Sequence, residues 1–195
     1  LFVKPDKAGD SLGIDDNSLV HNKGELVNKC AAIIEEYGPL LVEEYIEGRE
    51  FTVMLVANAD DEKTCTVFKP IEYIFPKGFE FKTYALKTSE LHPEANIPCN
   101  DPILEEQLKE AALQIFQGFG AVGYARLDFR VNAKKEIFFL EINFTCSVFY
   151  KDGYEGSADY ILKADGIGQP GFLKKIVDEG IARHLRSQKK YTMRG

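Results

Sequence analysis

Close cysteine pairs are missing. Cys30, Cys65, Cys99 and Cys146 are spread along the chain, so the short spacings of zinc sites and dithiol redox motifs are excluded, and reduced thiols are the expectation. Histidine is scarce, and His21, His92 and His184 are scattered, which gives no Ser-His-Asp or Cys-His set for nucleophilic catalysis. No apolar run approaches the roughly 20 residues that span a bilayer. No charged-then-apolar leader opens the chain, and the expected setting is soluble and cytoplasmic, without a membrane partner. Positive charge is in deficit: 24 basic against 31 acidic residues give a net charge of −7. That sign excludes a nucleic-acid backbone as the main partner but leaves room for a local basic site that holds a smaller anion. Internal repeats and low-complexity stretches are also absent.

What remains is an ordinary globular composition, 45% hydrophobic and 28% charged over 195 residues. A chain of this size buries roughly 70% of its unfolded surface, which suits one domain or two lobes of one domain. The first residues already read as a strand and position 1 is not methionine, so a cut from a longer polypeptide is expected.

Leu1 to Lys4 is an apolar run ended by Pro5, and the Gly- and Asp-rich stretch Asp6 to Asn17 follows as a loop. Leu26, Val27, Cys30, Ala31, Ile33 and Ile34 recur at helical spacing between Lys23 and Tyr37, and Gly38-Pro39 ends the pattern. Leu40 to Ile46 and Phe51 to Ala57 are β-type runs across a short turn, which predicts antiparallel neighbours. Another β-type run covers Thr64 to Phe75. Residues 76–100 show no sustained periodicity and are long for an idle connection. Asp101 and Pro102 open a helix reaching Phe119. Tyr124 to Val131 and Glu136 to Asn143 form a hairpin, and Ser157 to Ala164 and Gly171 to Arg186 are closing helices. The class is α+β, built on antiparallel sheets with flanking helices.

The hairpin carries the chemistry. Side chains alternate along a strand, so Arg126 and Asp128 share a face, as do Glu141 and Asn143, and the turn brings the two pairs opposite each other, to converge if those faces coincide. Two facing carboxylates repel unless a cation lies between them, and an all-oxygen set with a carboxamide suits Mg2+ or Mn2+. A solvated hairpin face has the same composition, but Leu127, Phe129, Leu140 and Ile142 alternate with the polar set, as expected of a ribbon with one face in the core and one lining a cleft. At the other end of the chain Lys4 closes a strand directly before Gly9, Ser11 and Gly13. Glycines let backbone amides approach phosphate oxygens and the lysine adds a point charge, which together suit a nucleotide polyphosphate. An ordinary turn has the same residues, and no Gly-Lys-Ser/Thr closes the loop. Glu43, Glu44 and Glu50 fit either a solvated hairpin end or a nucleoside contact. Cys146, close to the hairpin, reads as a buried thiol.

The motifs "FVKP…GDSLG", "LVEEYIEGREFTV", "YALK", "ARLDF" and "FFLEIN", in this order over most of residues 1–165, resemble the ATP-binding part of ATP-grasp ligases. Within them the resemblance is to the carboxyl-terminal portion of the D-alanine:D-alanine ligase group. It implies an ATP-grasp fold of two antiparallel lobes with the nucleotide between them, residues 1–48 forming the small lobe and 49–195 the large one with the closing helices. It implies that Lys4 touches the α and β phosphates while Gly9, Ser11 and Gly13 cover them. Glu43 and backbone up to Ile46 would surround the adenine, and Glu50 would hold the ribose. Lys87 would reach the terminal phosphate, Asp128, Glu141 and Asn143 would ligate magnesium, and Arg126 would stabilise an acyl phosphate and the tetrahedral species that follows it.

The implied reaction is attack of a substrate carboxylate on the γ-phosphate of ATP, then displacement of phosphate by an amine to form an amide. The substrates would be amino acids or peptides, and a homodimer is among the implied assemblies. Departures lie on the substrate side: "FTCSVFY" follows Asn143 in place of a Thr-Ser-Pro-Gly-Met type loop, and Asp10 and Thr88 replace the usual serine and tyrosine. Ser147 and Ser157 are candidates there for holding a carboxylate, with a helix cap as the plainer role of Ser157. The resemblance also implies an amino-terminal substrate domain ahead of Leu1. A noncatalytic ATP-binding or regulatory module is the alternative reading.

Overall fold

The computed structural model describes residues 1–9, 11–83, 93–144 and 146–192. The chain divides into two compact units, one comprising Leu1–Glu47 with a segment that starts at Phe75, the other Gly48–Ile74 with the residues from Pro93 onward.

The first unit is an antiparallel ribbon backed by a helix. β1 (Phe2–Pro5) pairs with β2 (Leu40–Glu43), from Phe2 opposite Glu43 to Pro5 opposite Leu40. Between them lie the Gly-rich loop, a short 3-10 turn at Asp16–Ser18 and α1 (Lys23–Glu36). Asn22 caps α1 by accepting from the Glu25 amide, while the Glu25 carboxylate accepts from the His21 amide and holds its own charged form more firmly by doing so. Tyr37 and the left-handed Gly38, at φ +85°, end the helix. Leu26, Cys30 and Ile33 then close on Val3 and Val20, which is why the 3.6-residue period was readable.

The second unit is built around β3 (Arg49–Ala57), in which every residue after Arg49 is buried. β4 (Cys65–Val67) and β5 (Ile71–Tyr73) pair with its two ends along one edge, β6 (Asn96–Pro98) follows β5, and β7 (Tyr124–Val131) and β8 (Ile137–Phe144) continue the sheet on the other edge, all antiparallel. The hairpin expected between Leu40 to Ile46 and Phe51 to Ala57 does not form. β2 stops at Glu43 and pairs with β1, whereas β3 lies in the other sheet. A strand apolar on both faces needs partners on both edges and cover on both sides, which the half-exposed β2 does not offer.

Helices cover both faces of the large sheet. α2 (Pro102–Gly118), capped by Asp101 with Pro102 in its first turn, packs Leu104, Leu108, Ala112 and Phe116 on Phe51, Val53, Leu55, Leu127 and Phe129. α3 (Ser157–Asp165) and α4 (Gly168–Thr192) bring Ala158, Ile161, Leu162 and Phe172 against Met54, Val56 and Phe68. Each fully buried Phe or Leu in these layers contributes about 1.5–3 kcal/mol of transfer free energy. Among the described residues no helix is long and apolar enough to cross a membrane. All four cysteines are free thiols.

Candidate functional site

The sheet register assembles a polar patch from three strands. Thr52 lies opposite Asp128 and Asp128 opposite Glu141; one step along, Met54 lies opposite Arg126 and Arg126 opposite Asn143. Alternation sends Phe51, Val53, Leu127 and Phe129 to the α2 side, so Thr52, Arg126 and Asp128 emerge on the other. That second face is apolar under α3 and α4, at Met54 and Val56, and becomes polar toward Thr52 and Glu50.

A β-bulge sharpens the division. Asp128 is opposite Glu141 but Phe129 is opposite Phe139, which leaves Leu140 as the extra residue. Regular alternation would put Phe139 and Glu141 on one face. The bulge instead lets Phe139 reach the Phe129 ring, centroids 6.0 Å apart, while Glu141 keeps the polar side. The strict alternation expected through Leu140 is therefore corrected.

Asp128 is 8% exposed and organises the patch. Its Oδ1 accepts from Thr52 Oγ1 at 2.9 Å and its Oδ2 from Arg126 Nη2 at 3.1 Å. Asn143 Nδ2 donates to Glu141 Oε1 at 3.0 Å and toward Asp128 Oδ2 at 3.4 Å. An amide donor thus stands between two carboxylates where a cation would neutralise them, and turning the amide presents Oδ1 instead. These donors fit Mg2+ or Mn2+, with two carboxylates and an amide as the set. A group of three or more acidic, histidine or cysteine ligands is absent among the described residues.

Burial works against the charge of Arg126, but Asp128 and Glu141 outweigh it and hold the guanidinium more firmly protonated than usual. Its Nε is buried with no hydrogen-bond partner among the described residues. Beside it, burial pushes the Cys146 thiol up to about 11, with Arg126 pulling the other way.

Glu50 is nearly buried, with Arg130 Nη2 at 3.3 Å from its Oε2, and Arg130 Nη1 also donates to the Gly48 carbonyl at 3.1 Å. Beyond β8, Asp159 accepts from the Phe149 and Gly156 amides and from Gln169 Nε2, which pins the segment after Asn143. Gly156 occupies the cap position of α3, so Ser157 is its first helical residue and not its cap. Ser147 is exposed.

In the first unit Lys4 Nζ meets Glu43 Oε2 at 2.7 Å. Phe2, Tyr45 and Phe81 form an aromatic group beside this pair, with Phe2 and Phe81 centroids 5.0 Å apart, and Ile46 is half-buried in the segment after β2. Gly9 is exposed, Ser11 has φ +59° and Gly13 φ +75°. Lys87, Asp10 and Thr88 lie outside the described residues.

Sequence reading missed Thr52, Lys29, Arg130, Tyr45 and Phe81. Thr52 was detectable as a lone hydroxyl among β-type apolar residues, and Lys29 as a charge on the apolar stripe of α1. Nothing local marks the other three.

A family profile described as D-ala D-ala ligase C-terminus matches residues 1–150. The chain belongs to the D-alanine–D-alanine ligase C-terminal family. Among curated members of this ligase family, D-alanine–D-alanine ligase B of Clostridium tetani is 37% identical over 145 residues, 73% of this chain and 38% of the relative. The D-alanine–D-alanine ligase of Acetivibrio thermocellus is 32% identical over 197 residues, 98% of this chain and 48% of the relative. The chain thus spans about half the length, or less, of these ligases. The solved D-alanine–D-alanine ligase of Coxiella burnetii superposes with a TM-score of 0.68 at 21% identity, covering 98% of this chain and 48% of that one. The Bacillus anthracis ligase complexed with ATP gives 0.67 at 18% identity, covering 96% and 54%. At such identities the likeness concerns the fold, which is ATP-grasp, with antiparallel sheets and flanking helices as expected.

Proposed function

We propose that this chain is the nucleotide-binding portion of an ATP- and Mg2+-dependent carboxylate–amine ligase, one that forms a C–N bond through an acyl phosphate. The observation that carries the proposal is the cross-strand row Thr52–Asp128–Glu141 with Arg126 and Asn143 one step along. A sheet has no packing need for a half-buried arginine, two facing carboxylates and a bridging amide, whereas phosphoryl transfer needs this combination.

In this reading Asp128, Glu141 and Asn143 hold the divalent ion, which when bound neutralises the phosphate oxygens. Arg126, kept cationic by Asp128, meets the negative charge that develops as the substrate carboxylate attacks phosphorus and as the amine then attacks carbon. Lys4 and the Gly9, Ser11 and Gly13 amides hold polyphosphate oxygens, and Glu43 exchanges its ion pair with Lys4 for the adenine amino group. Glu50, held by Arg130, serves the ribose, and Lys87 the terminal phosphate. No side-chain nucleophile is required, because ATP supplies the activation and the protein supplies position. The relatives named D-alanine–D-alanine ligase support amino acids as substrates. The cytoplasm is the proposed setting.

The test is a screen of D- and L-amino acids and dipeptides for stimulated ADP release by the full-length protein in the presence of Mg2+. Amino-acid-stimulated release with amide product is the expected result. Tight ATP binding without turnover across the screen overturns the ligase assignment in favour of a noncatalytic nucleotide-binding module.

A further inference from the structure

Lys29 belongs to the face of α1 that packs on Val3 and Val20, and it is only 7% exposed. An ammonium in that position needs close partners. Its Nζ lies 3.0 Å from the Gly13 carbonyl oxygen and 2.8 Å from Asp15 Oδ1, donating to both. Both acceptors stand at the returning end of the glycine loop.

Other features fix the same point. Gly13 is left-handed, and a Cβ there would lie 2.6 Å from Pro5 Cγ and 3.0 Å from Tyr37 Cε2. Asp15 Oδ1 also accepts from the Asn17 amide, while the Asp15 amide donates to Oγ of the buried Ser18. At the outgoing end the Asp6 amide donates to the Pro39 carbonyl at 2.9 Å. The loop therefore leaves and returns at Pro5 and Gly13, too close together to admit a Cβ on Gly13, with Lys4 as the next residue. Between these roots the described backbone is tied by turn bonds from Leu12 N to Gly9 O and from Ile14 N to Ser11 O. A tie from α1 to the Gly13 carbonyl thus governs where the loop amides stand relative to Lys4.

We infer that Lys29 is a positioning residue for polyphosphate binding, its ammonium holding the Gly13 carbonyl so that the Gly9, Ser11 and Gly13 amides and Lys4 present one cradle to the phosphates. This rests on the reading of that loop as the phosphate-holding segment under the proposed function. Lys29 does not touch the nucleotide; it acts through the loop root.

The experiment compares full-length protein with Lys29→Met and Lys29→Arg. Methionine keeps the apolar stem, and Asp15, with a side chain 59% exposed, stays hydrated when its partner goes. Calorimetric titration with inorganic tripolyphosphate and with ATP is expected to show about tenfold weaker binding for Lys29→Met, the scale of one charge-assisted hydrogen bond. KM for ATP rises by the same factor with kcat within about twofold, and Lys29→Arg returns both probes to within about threefold of the parent. A melting temperature lowered in Lys29→Met while both affinities stay at the parent value overturns the inference and makes Lys29 a scaffold residue. Parent protein that binds ATP while Lys29→Met matches it overturns the Lys29 assignment alone. Parent protein that binds neither probe overturns the phosphate reading of the loop together with it.

Discussion

Thr52 Oγ1 lies 2.9 Å from Asp128 Oδ1, a hydrogen bond that joins residues 76 positions apart in sequence across one step of the β3–β7 ladder. Thr52 is 2% exposed, so its hydroxyl has no solvent to fall back on. The bond engages one oxygen of Asp128 and leaves the other facing Arg126 and Asn143. Thr52→Val removes the donor without changing the volume much, and urea unfolding is expected to show a loss of about 1–3 kcal/mol, the cost of a buried acceptor left without its partner. Thr52→Ser keeps the hydroxyl and loses less than valine does. A larger loss in Thr52→Ser than in Thr52→Val would mean that the methyl group, not the bond, matters.

Glu141 and Asp128 meet across the outer strand pair with the Asn143 amide toward both. Glu141→Gln keeps the shape and removes one negative charge, so Mg2+-dependent ATP turnover is expected to be abolished in the full-length protein. The unfolding free energy changes by less than about 1 kcal/mol, because the position is exposed and a facing like charge is removed. Turnover with parental Mg2+ dependence in this variant excludes the hairpin from the mechanism.

Gly48 leads into β3 at φ +148°, and a Cβ there would come 2.1 Å from the Val131 carbonyl oxygen and 2.9 Å from its carbon. Those are backbone atoms of the neighbouring strand, which rotamer changes cannot relieve. Gly48→Ala is expected to cost at least about 3 kcal/mol, or to prevent soluble expression, through combined strain and overlap. Gly118→Ala, in open space near the end of α2, is the control and is expected to leave stability unchanged or slightly raised.

Burial raises the Cys146 thiol to about 11, so it remains protonated at pH 8 and is expected to react with iodoacetamide far more slowly in the native protein than in urea. The linkage has a definite sign. A thiol whose folded pKa exceeds its unfolded value of about 8.5 contributes stability that is complete below the unfolded value and disappears as pH rises through the folded one. The urea midpoint is therefore expected to fall between about pH 8.5 and about 11, and less steeply in Cys146→Ala. Rapid labelling of native Cys146 at pH 8, read by mass spectrometry, would contradict this placement.

Much of the architecture was legible because it is encoded locally. The bounds of α1 and α2, the Asp101-Pro102 opening and the β7–β8 hairpin all rest on spacing within a few residues, and the structure reproduces each to within about two positions, although Val27 and Ile34 of the α1 stripe are exposed. The polar row was legible for the same reason: Arg126, Asp128, Glu141 and Asn143 sit in one hairpin, where a short turn sets the register.

Strand partners across longer separations were not legible. The runs flanking Glu47-Gly48-Arg49 look like a hairpin in sequence, yet they enter different sheets, because β3 satisfies both its edges with strands that arrive later in the chain. The Leu140 bulge, the Thr52–Asp128 bond and the burial of Lys29 against Gly13 and Asp15 are decided the same way. Periodicity determined which residues share a face, since that depends only on backbone geometry along one element. Tertiary packing alone decided which faces meet, because a buried hydrogen bond or ion pair takes its energy from groups that the chain brings together only after it has folded.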